Sequence, residues 1–457
     1  MVNQNNLCLL LFLIHLDKTT LLLPPSSPVS APMASAEEQL VWASLSGNLL
    51  EVELLCSDSS VDVNWRFQGS FTPLYCACQE GRVNVVQFLL ARRGINVNLP
   101  QNQGVTPFYV ACQRGFPDVV ALLVADERVE VNVRIHNGVT ALMAACQRGF
   151  ASVVRRCLES AKIDVNMASE AQGVTTFFVA CQEGHADIVR MLQADPRVDV
   201  TKPNNRGATP MLTACYNRHR EVVALLLADP RVDPQQAKSN GSTPFLMACY
   251  SGSEEIVSML LQDPRVDVNT PQNEGATPLY MATQNGHLSI VQMILAFHGD
   301  VATRLRITTA DPDEDGKTAA EWARALVTLP KREYMGEDAH LRIKTLGPTL
   351  GNLIVEYEAD MATVRASLQR LPHIQGYFIA HTFALLIFYA DSFLQTTPAI
   401  TPSSVTRFLT MSSKLPLDLQ MVLCHRMFGS AQNLILSRDS EPAFRWLGNS
   451  KTWKESH

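Results

Sequence analysis

The chain has 457 residues, 46% of them hydrophobic and only 18% charged, which excludes a disordered polypeptide and exceeds what one hydrophobic core sustains. A net charge of −6 leaves no basic excess to neutralise a nucleic-acid backbone, so nucleic acid is not expected as a partner. Eleven cysteines in this length are too sparse for a disulfide scaffold and form no C-x-x-C pair or metal-spaced cluster; reduced thiols in the cytoplasm or nucleus are the economical reading.

In chain order, Leu7 to Leu16 is an apolar run broken by His15, followed by the Pro-rich Pro24-Pro25-Ser26-Ser27-Pro28. No basic residues precede the run and it is too short to cross a bilayer, so neither a secretory signal nor a membrane span is expected. Residues 1–35 are read as a disordered segment or as an addition ahead of a natural start at Met33.

From there a repeat dominates. The segment Thr72-Pro73-Leu74-Tyr75-Cys76-Ala77-Cys78-Gln79-Glu80-Gly81 recurs at Thr106, Thr140, Thr175, Thr209, Thr243 and Thr277, in steps of 34 or 35 residues. Thr suits a helix N-cap and Pro the first helical position; Gly81, Gly115, Gly149, Gly184, Gly252 and Gly286 then supply a left-handed helix end. A second amphipathic stretch such as Asp118 to Leu123 predicts an outer helix, and runs such as Val266-Asp267-Val268-Asn269 predict a short extended finger. Arg218 stands in one Gly slot, where strain of about 1 kcal/mol is expected, and Ser70 in the turn-glycine slot before Thr72.

The T-P-L-x-x-A…G pattern, nearly whole at Thr72, Thr106, Thr243 and Thr277, resembles the ankyrin repeat over residues 36–330. Gln39 to Asn64 looks like a worn first copy, and Asp315 to Ala323 like a partial last one; terminal copies are expected to turn a polar face outward. The resemblance implies a mostly α fold, an α-solenoid of helix-turn-helix units with extended fingers. The family's usual His after T-P-L is replaced by Tyr75, Tyr109, Met143, Phe178, Leu212, Leu246 and Tyr280, so apolar packing is expected there.

Cys78, Cys112, Cys146, Cys181, Cys215 and Cys249 share one slot, and a small apolar side chain that lets inner helices approach explains all six without a metal or redox role. In proteins of this type the next two positions face partners. They are Gln79 and Glu80, Gln113 and Arg114, Gln147 and Arg148, Gln182 and Glu183, Tyr216 and Asn217, Tyr250 and Ser251, and Gln284 and Asn285. The finger tips form a second candidate surface: Arg66, Phe67, Asn102, Gln103, His136, Asn137, Asn205, Arg206, Asn273 and Glu274. The finger-closing Asn64, Asn98, Asn132, Asn166 and Asn269 match sites of asparagine hydroxylation in some similar proteins, but are read as turn residues bonding their own backbone. Asp311-x-Asp313-x-Asp315-Gly316 imitates a calcium loop, yet Trp322 occupies its twelfth position. No catalytic motif occurs, and neither a cofactor nor a metal is expected.

Beyond residue 330 the period is lost, and residues 331–457 are read as a separate helical region docked on the last repeats. Gly376 to Ala390 reads as a buried helix, while Leu415-Pro416-Leu417-Asp418-Leu419 resembles the opening of an F-box. Two functions follow: a non-enzymatic scaffold that binds a protein partner, or a substrate adaptor recruiting cullin-type ubiquitin-ligase components through that box.

Overall fold

A computed structural model describes residues 35–68, 70–135, 138–297, 317–325, 337–376 and 378–379, in two compact units, Met1–Pro210 and Met211–His457. The first holds five helix pairs: α1 (Ala36–Ser46) with α2 (Leu49–Ser57), α3 (Pro73–Gln79) with α4 (Val83–Leu90), α5 (Pro107–Arg114) with α6 (Pro117–Ala125), α7 (Ala141–Gln147) with α8 (Ala151–Leu158), and α9 (Thr176–Glu183) with α10 (Ala186–Ala194). Odd-numbered inner helices stack on one another, and even-numbered outer helices do the same. The second unit holds α11 (Pro210–Tyr216) with α12 (Arg220–Ala228), α13 (Pro244–Ser251) with α14 (Glu254–Leu261), and α15 (Pro278–Gln284) with α16 (Leu288–Phe297). It also contains α17 (Ala319–Ala325), α18 (Glu337–Ala359) and α19 (Met361–Leu368). The partial last repeat supplies α17, which stacks on α15 as an inner helix would.

The inner helices form where the sequence places them. Thr72, Thr106, Thr140, Thr175, Thr243 and Thr277 accept with Oγ1 from the N–H three residues on, at 3.1–3.3 Å. These bonds satisfy donors that an uncapped helix leaves orphaned. The shared cysteine slot is fully buried in all six copies, and the residues at the missing-His slot are buried too. Burial pushes the thiols up, that of Cys76 to about 12, which leaves them as packing groups.

One close approach recurs at four inner-helix ends. Gly115 has φ +84°, and a Cβ placed on it would lie 2.9 Å from the Phe150 ring, which precedes the next outer helix. Phe116, His185 and His287 stand in the same relation to Gly81, Gly149 and Gly252. At the one non-glycine copy both partners change. Arg218 adopts φ +64°, and the position that matches those rings in the repeat register is held by the small, buried Ser253. The Arg218 guanidinium donates to the Ser251 carbonyl, which offsets part of the left-handed strain.

The expected extended finger differs in detail. Among the described residues no strand forms, only the isolated bridges Phe67↔Phe71 and Arg134↔Thr140. The V-D-V-N run is a turn, because its acid accepts from the N–H two residues on, as Asp62 does from Asn64 and Asp267 from Asn269 at 2.9 Å. At the first finger Gln68, with φ +49°, takes the left-handed turn position, two residues ahead of Ser70.

Outer helices are closed by arginines from the following repeat. Arg128 donates to the Leu90 carbonyl at 2.6 Å, Arg197 to Leu158 at 2.8 Å and Arg265 to Leu227 at 2.9 Å. Each is forked onto an aspartate two residues before it, Asp126, Asp195 or Asp263, whose geometry fixes the guanidinium plane. At the last outer helix, α16, no following repeat supplies this group among the described residues; α19 packs there and provides it. Arg365 donates to the Ala296 and Phe297 carbonyls, both at 2.9 Å, and Gln369 to Ala296 at 3.1 Å. Buried Leu350, Ile354 and Tyr357 of α18, with Phe378 at 5.0 Å from Phe297, complete that end. The helices after residue 337 thus share one compact unit with the repeats they cover. The rest of the Gly376–Ala390 run lies outside the described residues. At the first repeat, Leu50 and Leu54 are 79% and 72% exposed, so that outer helix does not present the polar face expected of a terminal copy.

Two outcomes follow. R365A leaves two helix-end carbonyls of α16 without their charged donor, so chemical denaturation should show a loss of about 1–3 kcal/mol in this unit. R218G combined with S253H restores the glycine–ring pairing, and by double-mutant cycle should be more stable than the two single changes add up to.

Candidate protein-interaction surface

The two rows beside the cysteine slot do not share one environment. Gln79, Gln113, Gln182 and Gln284 are 3–9% exposed, as is Ser251 at 8%, while Gln147 is half-buried. Gln79 and Gln182 spend their side-chain amides on Glu80 and Glu183, at 3.1 and 3.0 Å. The residues that reach solvent are Arg114 and Arg148, both exposed, with Glu80, Glu183, Tyr216, Asn217, Tyr250 and Asn285 partly so. Most of what the inner-helix face offers a partner is therefore the second row and the two tyrosines.

In the second unit Tyr216 and Tyr250 stack with ring centroids 6.2 Å apart and planes 17° from parallel. Backbone bonds hold the base of this pair: Ser251 Oγ donates to the Cys215 carbonyl at 3.2 Å, and His287 Nε2 lies 3.3 Å from the Tyr250 carbonyl. Burial, then the neighbouring Tyr216 phenol, push the Tyr250 hydroxyl up, so it stays a neutral donor. Burial also lowers His287 to about 4, with Arg342 and Arg218 acting in the same direction. Arg342 arrives from α18, where its Nε donates to the Asn285 carbonyl at 3.3 Å. Two stacked rings, the Tyr250 hydroxyl and the Arg218 and Arg342 guanidinium groups thus come from the inner-helix ends and α18.

At the finger tips, Asn102, Gln103, Asn205, Arg206, Asn273 and Glu274 are exposed. Several nevertheless hold the fingers together. Asn205 N–H donates to the Gln172 carbonyl and Asn273 N–H to the Asn240 carbonyl, both at 2.9 Å. Arg66 donates to the Pro100 carbonyl at 2.7 Å, and Phe67 packs edge-on against Trp42 and Trp65. His136 and Asn137 lie outside the described residues, as do the F-box-like Leu415–Leu419 and Asp311–Gly316.

The closing asparagines correct their sequence reading. Asn98 Nδ2 donates to the Arg128 carbonyl at 2.8 Å, and its Oδ1 accepts from Glu130 N–H at 2.9 Å, both in the following repeat. Asn64, Asn132 and Asn166 repeat this two-point clip. The local turn bond comes from the acid or amide two residues earlier, which frees the asparagine side chain to reach across. The sequence reading also passed over the recurrent Asp-Pro-Arg of Asp195–Arg197, Asp229–Arg231 and Asp263–Arg265, although its period was there to be read. Among the described residues no three His, Cys, Asp or Glu side chains converge to hold a metal, and no helix is long and apolar enough to cross a membrane. Thr318 and Glu321 close a reciprocal capping box at the start of α17, with bonds of 2.9 and 3.3 Å.

A family model described as ankyrin repeats (3 copies) matches residues 3–101, 40–135, 108–204, 162–237, 194–272 and 213–305. Among solved structures, the chain is similar to the ankyrin repeat domain of Bcl-3, described as a unique member of the IkappaB protein family. Identity is 24%, coverage is 46% of this chain and 92% of that one, and the TM-score is 0.42. No curated protein matches the chain.

The lowered His287 gives a pH signature. Its folded value, about 4, lies below the ordinary histidine value of 6.5, so the unfolded chain binds more protons between them. Stability of this unit should fall as pH drops from about 6.5 towards 4, and H287Q should flatten that part of a melting-temperature profile.

Proposed function

The chain belongs to the ankyrin-repeat family, and from that premise we propose that it works as a non-enzymatic scaffold, binding partner proteins through its inner-helix faces and finger tips. Ankyrin repeats mediate protein–protein interaction. What supports the reading for this chain is the stacked Tyr216–Tyr250 pair. Stacked aromatic rings held by backbone bonds lose little conformational freedom on binding, and tyrosine is among the residues that dominate interface energetics. Their hydroxyls add donors that suit carbonyl or carboxylate groups of a partner.

The repeats are suited to this work because their surface is formed before the partner arrives. Cross-repeat clips such as those of Asn98 and Arg128 fix neighbouring helices, so binding pays little ordering cost.

The test is affinity purification with the full chain, followed by quantitative mass spectrometry against a Y216A/Y250A variant. Partners of this face should fall by roughly tenfold or more, the loss of hot-spot contacts worth at least about 1.4 kcal/mol, while the melting temperature changes little. A partner set unchanged by the double substitution would remove the tyrosine pair from the binding face.

A further inference from the structure

In the first unit the exposed second row reads Glu80, Arg114, Arg148, Glu183 on four successive inner helices, α3, α5, α7 and α9. The outer members are held by their own neighbours, since Gln79 and Gln182 donate to Glu80 and Glu183. The central members are exposed arginines. Arg114 lies near the Tyr75 phenol and Arg148 near the Tyr109 phenol, close enough for each cation to favour the phenolate against burial.

The resulting order is negative, positive, positive, negative along a row whose steps are set by helix packing at about 8–10 Å. A peptide in the extended polyproline II conformation advances about 3.1 Å per residue and returns every third side chain to the same face, so side chains three apart match one step. We infer that this face binds an extended protein segment carrying two acidic residues three positions apart, with basic residues outside them. The arginine forks engage the two carboxylates, while Glu80 and Glu183 attract the flanking cations and repel a longer acidic tract. The inference rests on the protein-binding reading above and names the partner's chemistry.

Panning a phage-displayed random dodecapeptide library on the immobilised full chain tests it, alongside R114E/R148E, whose exposed positions leave the fold intact by circular dichroism. Wild-type protein should enrich acidic pairs three apart, with Lys or Arg outside them. In fluorescence anisotropy the reversed variant should bind those peptides at least about tenfold more weakly, and it should itself select basic central pairs. Enriched peptides that lack the acidic pair and bind R114E/R148E within about twofold of wild type would overturn the charge pattern while leaving the scaffold reading standing. Failure to enrich any peptide would overturn both for this unit.

Discussion

Four repeats end the inner helix where a ring from the next repeat lies against a residue with no Cβ, and their stacking depends on that contact. Gly115 must adopt φ +84° and also leave room for the Phe150 ring; a single methyl group would violate both demands. The copy that departs from glycine departs in both partners at once, Arg218 with Ser253 at the matching position. A large residue on one side is matched by a small one on the other, which is how close-packed interiors tolerate change.

Apolar stacking alone would hold helices together without fixing how they slide. The register comes from polar groups that reach into the adjacent repeat: Asn98 bonding Arg128 and Glu130, and Arg128 bonding the end of α4. Each bonds backbone groups of the adjacent repeat, so a slipped register would break several bonds at once. Among the described residues Arg365 and Gln369 reproduce this from α19, a helix outside the repeat register, which closes the end of α16.

The stacking devices and the exposed groups occupy different positions of the same short helices. Burial takes Gln79, Gln113, Gln182 and Gln284 of the first polar row, and Ser251 of the second, and leaves the rest of the second row and two tyrosines facing out. Variation in the second row, from glutamate to arginine to asparagine, therefore changes what is displayed without disturbing what is packed.

The sequence by itself determined the repeat, its helix starts and its helix ends, because capping, proline and glycine act within a few residues of chain. The threonine caps, the buried cysteine slot and the left-handed Arg218 all follow from local chemistry repeated at a fixed period. Only the tertiary structure decided which polar residues are spent inside the stack. Asn98 and Gln79 look equally available in sequence, yet one clips the next repeat and the other is buried beside Glu80. The identity of Arg365 as a helix-closing group was equally hidden, since it lies some 70 residues beyond the carbonyls it satisfies, at separations of 68 and 69. Contacts across that distance depend on how the elements pack, and no local pattern encodes them.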